Sequence, residues 1–243
     1  MKTFTGNVAK VYNDLIDMLL NEENKDYDNV IETRELTNVC LEFTNPTLEN
    51  IVFPHRNINT TYAKEELKWY WSADNSCKTI GKYAKMWLKI SDDGETNNSA
   101  YGYILHKKHN KDQLNEIIQL LKQDIYSRKA VLSITDPIID KLTTKDFQCT
   151  IAIQFLVRHN KLVMTVYMRS NDVYFGLPYD YVYFTSIGQY VAEQLNIPFT
   201  TYIHYATSMH MYERDVNKFR TEKGQIFTID AKAIIKECYN ESK

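Results

Sequence analysis

Within residues 149–180 the chain carries a thiol, Cys149, a guanidinium, Arg169, a neighbouring hydroxyl, Ser170, and two carboxyls, Asp172 and Asp180. The last four sit in MRSNDVYFGLPYD, whose other residues are largely apolar or tyrosine. Charges enter such surroundings only with partners, because desolvation costs several kcal/mol per ion. The segment is therefore either an irregular surface loop or a wall whose charges face a ligand. Cys149 alone reads as a small buried hydrophobe. A nucleophilic cysteine needs its thiolate, hence a nearby cation or donor. Arg169 follows it by 20 residues. If residues 150–157 and 161–169 pair as a hairpin around RHN, the register returns Arg169 to Cys149. A guanidinium beside a hydroxyl suits a phosphate monoester, because both donate to its oxygens. Asp180 directly precedes a helical pattern, so it either caps that helix or faces a ligand. Arg34, Arg128 and Lys129, taken singly, read as surface charges.

The elements that must hold these groups follow from hydrophobic periodicity. Residues 7–22 predict an amphipathic helix through Val8, Val11, Leu15 and Leu19, followed by the polar loop NEENKDYDN. Residues 62–71 (YAKEELKWYW) and 111–124 predict two further helices, with a turn-rich loop at 91–100. AVLSI (130–134) predicts a short strand, then comes the hairpin CTIAIQFLV–RHN–KLVMTVYMR. Residues 180–195 return to helical spacing, and FTTYIHYATSMHMY (199–212) predicts a strand. No repeat or linker divides the chain. The expectation is one α+β domain over residues 1–243, built on a large mixed sheet flanked by helices.

Composition narrows the partners. The formal net charge of −2 argues against a nucleic-acid polymer or a membrane surface, and leaves room for a small anion held by a few arginines. No apolar run approaches a membrane span, and MKTFTGNVAK has no apolar signal core. Cys40, Cys77, Cys149 and Cys238 lie far apart, without the spacing of a zinc site or a disulfide framework. No metal and a reducing cytoplasmic setting are expected. The 18 tyrosines offer apolar area with hydroxyl tips.

QCT…QF.V…KL…YMRSNDV.FGLPYD resembles the active-site half of the thymidylate synthase family, with EELKWYW, SRKAVLSITDP, AYG (100–102) and HMY (210–212) in matching order. The resemblance spans roughly residues 30–215. It implies the family's fold, with sheets packed back to back in a homodimer. It also implies 5,10-methylenetetrahydrofolate as co-substrate and a pyrimidine nucleotide as substrate. Cys149 would add to C6 of the base, C5 would take the one-carbon unit, and loss of tetrahydrofolate would leave an exocyclic methylene. Glu66 would move protons through ordered water, Tyr101 would orient the site, and Asp172 would lie near folate and ring. Trp87 would stack on the folate; by residue type alone it is equally a core tryptophan. Arg169 and Ser170 would bind phosphate, joined by Arg128 from the partner subunit, while His210 and Tyr212 would hold the sugar. Arg34 is a weaker phosphate candidate, because the family's Gly-rich loop is absent after it.

Asp180 stands where thymidylate synthases place Asn. An amide matches the uracil edge; a carboxyl suits cytosine, accepting from the 4-amino group. In this it is similar to deoxycytidylate hydroxymethylases of phage type. The Gly-Tyr-x-Pro-His-Pro motif and apolar terminal lid of the synthases are missing, Lys129 replaces an Arg, and Thr150 replaces a His. A site open to water would give a 5-hydroxymethyl product from dCMP. The alternatives are a dCMP methyltransferase, a dUMP-directed synthase or hydroxymethylase, and a non-catalytic nucleotide- or RNA-binding homologue.

Overall fold

The structure is a computed structural model describing residues 1–21 and 32–239, plus the strand backbone of 25–26. Most of the expected loop at 21–29, and residues 240–243 of the terminus, lie outside the described residues. In chain order the elements are β1 (Lys2–Gly6), α1 (Val8–Leu19), β2 (Lys25–Asp26), β3 (Thr33–Thr44), α2 (Thr60–Trp71), α3 (Cys77–Ile80), α4 (Met86–Ile90) and α5 (Tyr101–His106). There follow α6 (Gln113–Gln123), β4 (Val131–Ser133), β5 (Thr150–Arg158), β6 (Lys161–Asp172), α7 (Leu177–Leu195), β7 (Phe199–Tyr212), α8 (Glu213–Thr221) and α9 (Ala231–Cys238).

All strands form one mixed sheet in the order β1-β3-β7-β6-β5-β4, with β2 on β3. The pairs β1–β3 and β6–β7 are parallel and the rest antiparallel. The expected α+β fold with a large mixed sheet flanked by helices is what forms. Side-chain caps begin five of the described helices: Asn7, Asn59, Ser76, Asp112 and Asp230 each accept from a backbone N–H in the first turn. The hairpin turns at His159 and Asn160, both at positive φ (51° and 57°), as a two-residue turn matching strand twist requires. Helix α7 starts three residues earlier than its apolar spacing suggested, at Leu177, with Pro178 in the first turn, where a missing N–H costs nothing. It is buried on nearly every side, packing Phe184, Ile187 and Val191 into the core.

Three neighbouring strands share an irregularity. Along β6, buried side chains run Leu162, Met164, Val166, Met168, then Asn171. Along β7 they run Tyr202, His204, Ala206, then Met209 and Met211; along β3, Arg34 and Leu36, then Val39 and Leu41. The alternation slips by one residue at the same level in each strand, with Asn38 in the left-handed region at φ 55°. The slip leaves two consecutive residues of β6, Arg169 and Ser170, outside the core. It also explains why β3 carried no clear strand signature: its apolar residues break period two at Thr37–Asn38. The sequence reading gave no element either for β1, for the short helices α3 to α5, or for α8 and α9. Helix α9 buries Ile234 and Ile235 where only a polar terminus was expected.

Candidate active site

A cavity of about 550 Å³ opens where the upper ends of β6 and β7 meet α2, the start of α5 and the first turn of α7. Its lining includes Glu66, Trp87, Tyr101, Cys149, Arg169, Ser170, Asp172, Asp180, His210 and Tyr212. The fold thus gathers ten of the twelve candidate residues named from the sequence. The two exceptions are arginines. Arg34 is buried elsewhere: its Nε donates to Glu213 Oε1 at 2.7 Å and its Nη1 to the Leu20 carbonyl at 2.5 Å. Satisfied there, its guanidinium does not reach the cavity, which corrects its assignment as a phosphate ligand. Arg128 is exposed just before β4 and does not line the cavity of its own chain.

The hairpin register brings cation to thiol as the spacing required. Thr150 pairs with Met168, and the Arg169 N–H donates to the Cys149 carbonyl at 2.9 Å. Arg169 Nε donates to the Gln148 carbonyl at 3.0 Å and Nη2 to the Phe147 carbonyl at 2.9 Å, so the guanidinium also fixes the loop that presents the cysteine. Burial pushes the Cys149 thiol up; the Arg169 charge pulls it down, against the carboxyls of Asp180, Asp146 and Asp172. Ser170 Oγ lies 3.4 Å from His210 Nδ1, and the His210 and Tyr212 rings meet edge-on at 5.2 Å. Asp172, opposite His210 in the sheet, accepts from the backbone N–H groups of Tyr174 and Phe175 at 2.7 and 3.3 Å. Burial raises Asp172 and lowers His210, and their mutual attraction works against both shifts.

The opposite wall is helical and aromatic. Tyr101 stacks on Tyr70 at 5.5 Å, and its hydroxyl accepts from the Thr150 N–H at 3.4 Å. This close seating needs Gly102, where a Cβ would stand 1.7 Å from the Tyr70 carbonyl oxygen. Trp87 Nε1 donates to Tyr62 Oη at 2.9 Å, and Tyr62 donates to Glu66 Oε1. Trp87 packs against Trp69 as a core residue and also lines the cavity. Burial pushes Glu66 up to about 8, with the Tyr62 bond opposing and the Asp180 charge adding. Asp180 is not the cap of α7. It lies in the first turn, its own N–H donating to the Gly176 carbonyl. Burial pushes it up to about 7, opposed by a bond from Asn171 and reinforced by Asp172.

Among the cavity residues that escaped the sequence reading are Tyr62, Asp146 and Asn171. Tyr62 could have been found from its i, i+4 relation to Glu66 on a helix. Asp146, buried and accepting from Ser99 N and Oγ, had no local signal. Asn171 was given no role in the sequence reading. Among the described residues there is no cluster of His, Cys, Asp or Glu fit for a metal ion, and no helix long and apolar enough to cross a membrane. The arrangement can hold an anion at Arg169 and Ser170, attack an electrophilic carbon with Cys149, and store protons on two buried acids.

The sequence model of the family described as Thymidylate synthase matches residues 10–227. The chain is 28% identical over 236 residues to a deoxyuridylate hydroxymethyltransferase of Bacillus phage SP01, covering 91% of this chain and 62% of that protein. It is 31% identical over 169 residues to the deoxycytidylate 5-hydroxymethyltransferase of Enterobacteria phage T4, covering 65% and 69%. It is 25% identical over 169 residues to a thymidylate synthase of Bacillus atrophaeus, covering 66% and 74%. The chain therefore spans less than two thirds of the length of the SP01 protein. Its fold is similar to that of the thermostable thymidylate synthase A from Bacillus subtilis, with a TM-score of 0.72 at 21% identity, covering 90% of this chain and 86% of that one.

Proposed function

The chain belongs to the thymidylate synthase family, and from that premise we propose that it is a deoxycytidylate 5-hydroxymethyltransferase. It would convert dCMP, 5,10-methylenetetrahydrofolate and water to 5-hydroxymethyl-dCMP and tetrahydrofolate. The observation that carries the cytidylate reading is Asp180. Its carboxyl faces the cavity, is not spent on capping a helix, and sits near the pH where it can both accept and donate. Cytosine presents an amino donor and a ring-nitrogen acceptor, and a carboxyl sharing one proton answers both.

The places of the other residues support the following roles. Cys149 Sγ adds to C6 of the base, with Arg169 offsetting the thiolate charge. Arg169 and Ser170 take the phosphate, and His210 with Tyr212 takes the sugar hydroxyl. The folate supplies the one-carbon unit. The wall with Trp87, Met86 and the half-exposed Phe175 fits a flat heteroaromatic ring. Glu66, neutral at about pH 7, can lend a proton and take one back through water. Arg128, exposed and outside its own cavity, is free to complete the phosphate site of a second copy in a back-to-back homodimer. The open apolar residues Val131, Ile151 and Tyr167 on the sheet support that packing.

A uridylate-directed hydroxymethylase is the second reading, favoured by the similarity to the SP01 protein over nearly the whole chain. Incubation with dCMP, CMP or dUMP plus methylenetetrahydrofolate, followed by mass spectrometry, separates them. A product from dCMP carrying the extra oxygen is expected. A methyl product, or turnover of dUMP alone, overturns the assignment. Asp180→Asn should move preference towards dUMP; no movement would leave Asp180 without its base-reading role.

A further inference from the structure

Asn171 is a polar residue in an apolar place. It follows the slip in β6, is 3% exposed, and its Oδ1 is buried with no hydrogen-bond partner among the described residues. An apolar side chain of similar size would pack there without that cost. What the amide does offer is one donor: Nδ2 reaches Asp180 Oδ2 at 2.6 Å. Gly176 leaves space for it, because a Cβ there would stand 2.9 Å from Nδ2 and 2.8 Å from the Asp172 carbonyl oxygen.

This contact decides where Asp180 can carry a proton. An oxygen that accepts from Asn171 N–H cannot also point an acid hydrogen at it. A carbonyl oxygen accepts more strongly than an acid hydroxyl, so this bond favours the proton of a neutral Asp180 on Oδ1, with Oδ2 as the acceptor. Such a carboxyl presents one donor and one acceptor in a fixed order. Cytosine fits with Oδ1–H on N3 and its amino group on Oδ2. Uracil in the same pose offers N3–H and O4, and would need the proton on Oδ2, against the Asn171 amide. We propose that Asn171 is a positioning residue for base specificity: by fixing the proton on Asp180 it selects a 4-aminopyrimidine nucleotide over a 4-oxo one. This rests on the cytidylate reading of the site.

The same bond draws Asp180 down against burial and the Asp172 charge, so its loss should move the Asp180 titration upward. The test uses the full chain with Asn171→Ala and Asn171→Asp, the second nearly isosteric so that packing is kept. The readouts are kcat/KM for dCMP and for dUMP across the neutral pH range. The dCMP to dUMP ratio should fall about tenfold, the size of one hydrogen bond, and the limb due to Asp180 should shift to higher pH. An unchanged ratio and limb overturn the proposal. Equal losses on both nucleotides with an unmoved limb also overturn it, since they mark a packing role. If the wild-type protein favours dUMP, the cytidylate reading fails by itself, and the limb still reports whether Asn171 governs Asp180.

Discussion

The two ends of the cavity are built on opposite principles. At the sheet end, Arg169 keeps its charge, braced by the carbonyls of Phe147 and Gln148, with Ser170 beside it. At the helical end, Glu66 and Asp180 are buried acids lifted to about 8 and 7, so near neutrality both hold protons much of the time. A permanent charge attracts and anchors an anion regardless of what else the ligand carries. Neutral acids attract little but discriminate, because a hydrogen bond formed with the wrong donor order leaves a buried group unpaired. One end would therefore hold many nucleotides and the other choose among them.

Cys149, between the ends, gives the largest expected effect. Cys149→Ala should lower tritium release from 5-labelled dCMP by at least about 10⁴-fold while nucleotide binding, seen by calorimetry, persists. Release at the wild-type rate would remove covalent addition. At the helical end, Glu66→Gln should cost about 10²- to 10⁴-fold in kcat and remove the limb near pH 8 from the kcat/KM profile. At the sheet end, Arg169→Lys keeps the charge and loses the fork, so a rise in KM of about tenfold is expected, with a smaller change in kcat. If the Arg169 change falls on kcat and the Glu66 change on KM, the division between the ends is wrong.

The smallest effect is on stability. Glu66 has its folded value raised above the ordinary 4.5, to about 8. Its contribution is therefore complete below about pH 4.5 and is lost as pH rises through 8, where the buried carboxylate must ionise. Glu66→Gln should raise Tm relative to wild type at pH 9 more than at pH 6. An equal shift at both values would mean Glu66 is not held neutral.

Most of this was legible because the chemistry lies close in sequence. Cys149 and Arg169 stand on the two arms of one hairpin, whose turn was visible in RHN. Asp180 and Asp172 lie on the same short segment, and their side was settled by α7 starting at Leu177. Arg34 was misjudged because its partner, Glu213, is 179 residues away and no local pattern announces it. Asn171 was passed over because its importance depends on the slip, a property of three strands at once. The same property hid β3, whose apolar positions fit period two only on either side of Thr37–Asn38.

That shared slip makes the lengths of three distant segments interdependent. Removing one residue near Asn38 alone would turn Val39, Leu41 and Phe43 towards water while β7 held its own frame. The pairing of β3 with β7 could recover only through a matching loss near Thr207, and β6 would need one near Arg169. Insertions and deletions here should thus be tolerated as a coordinated set or not at all, so that natural variation in these strands would come as changes of residue type at constant length.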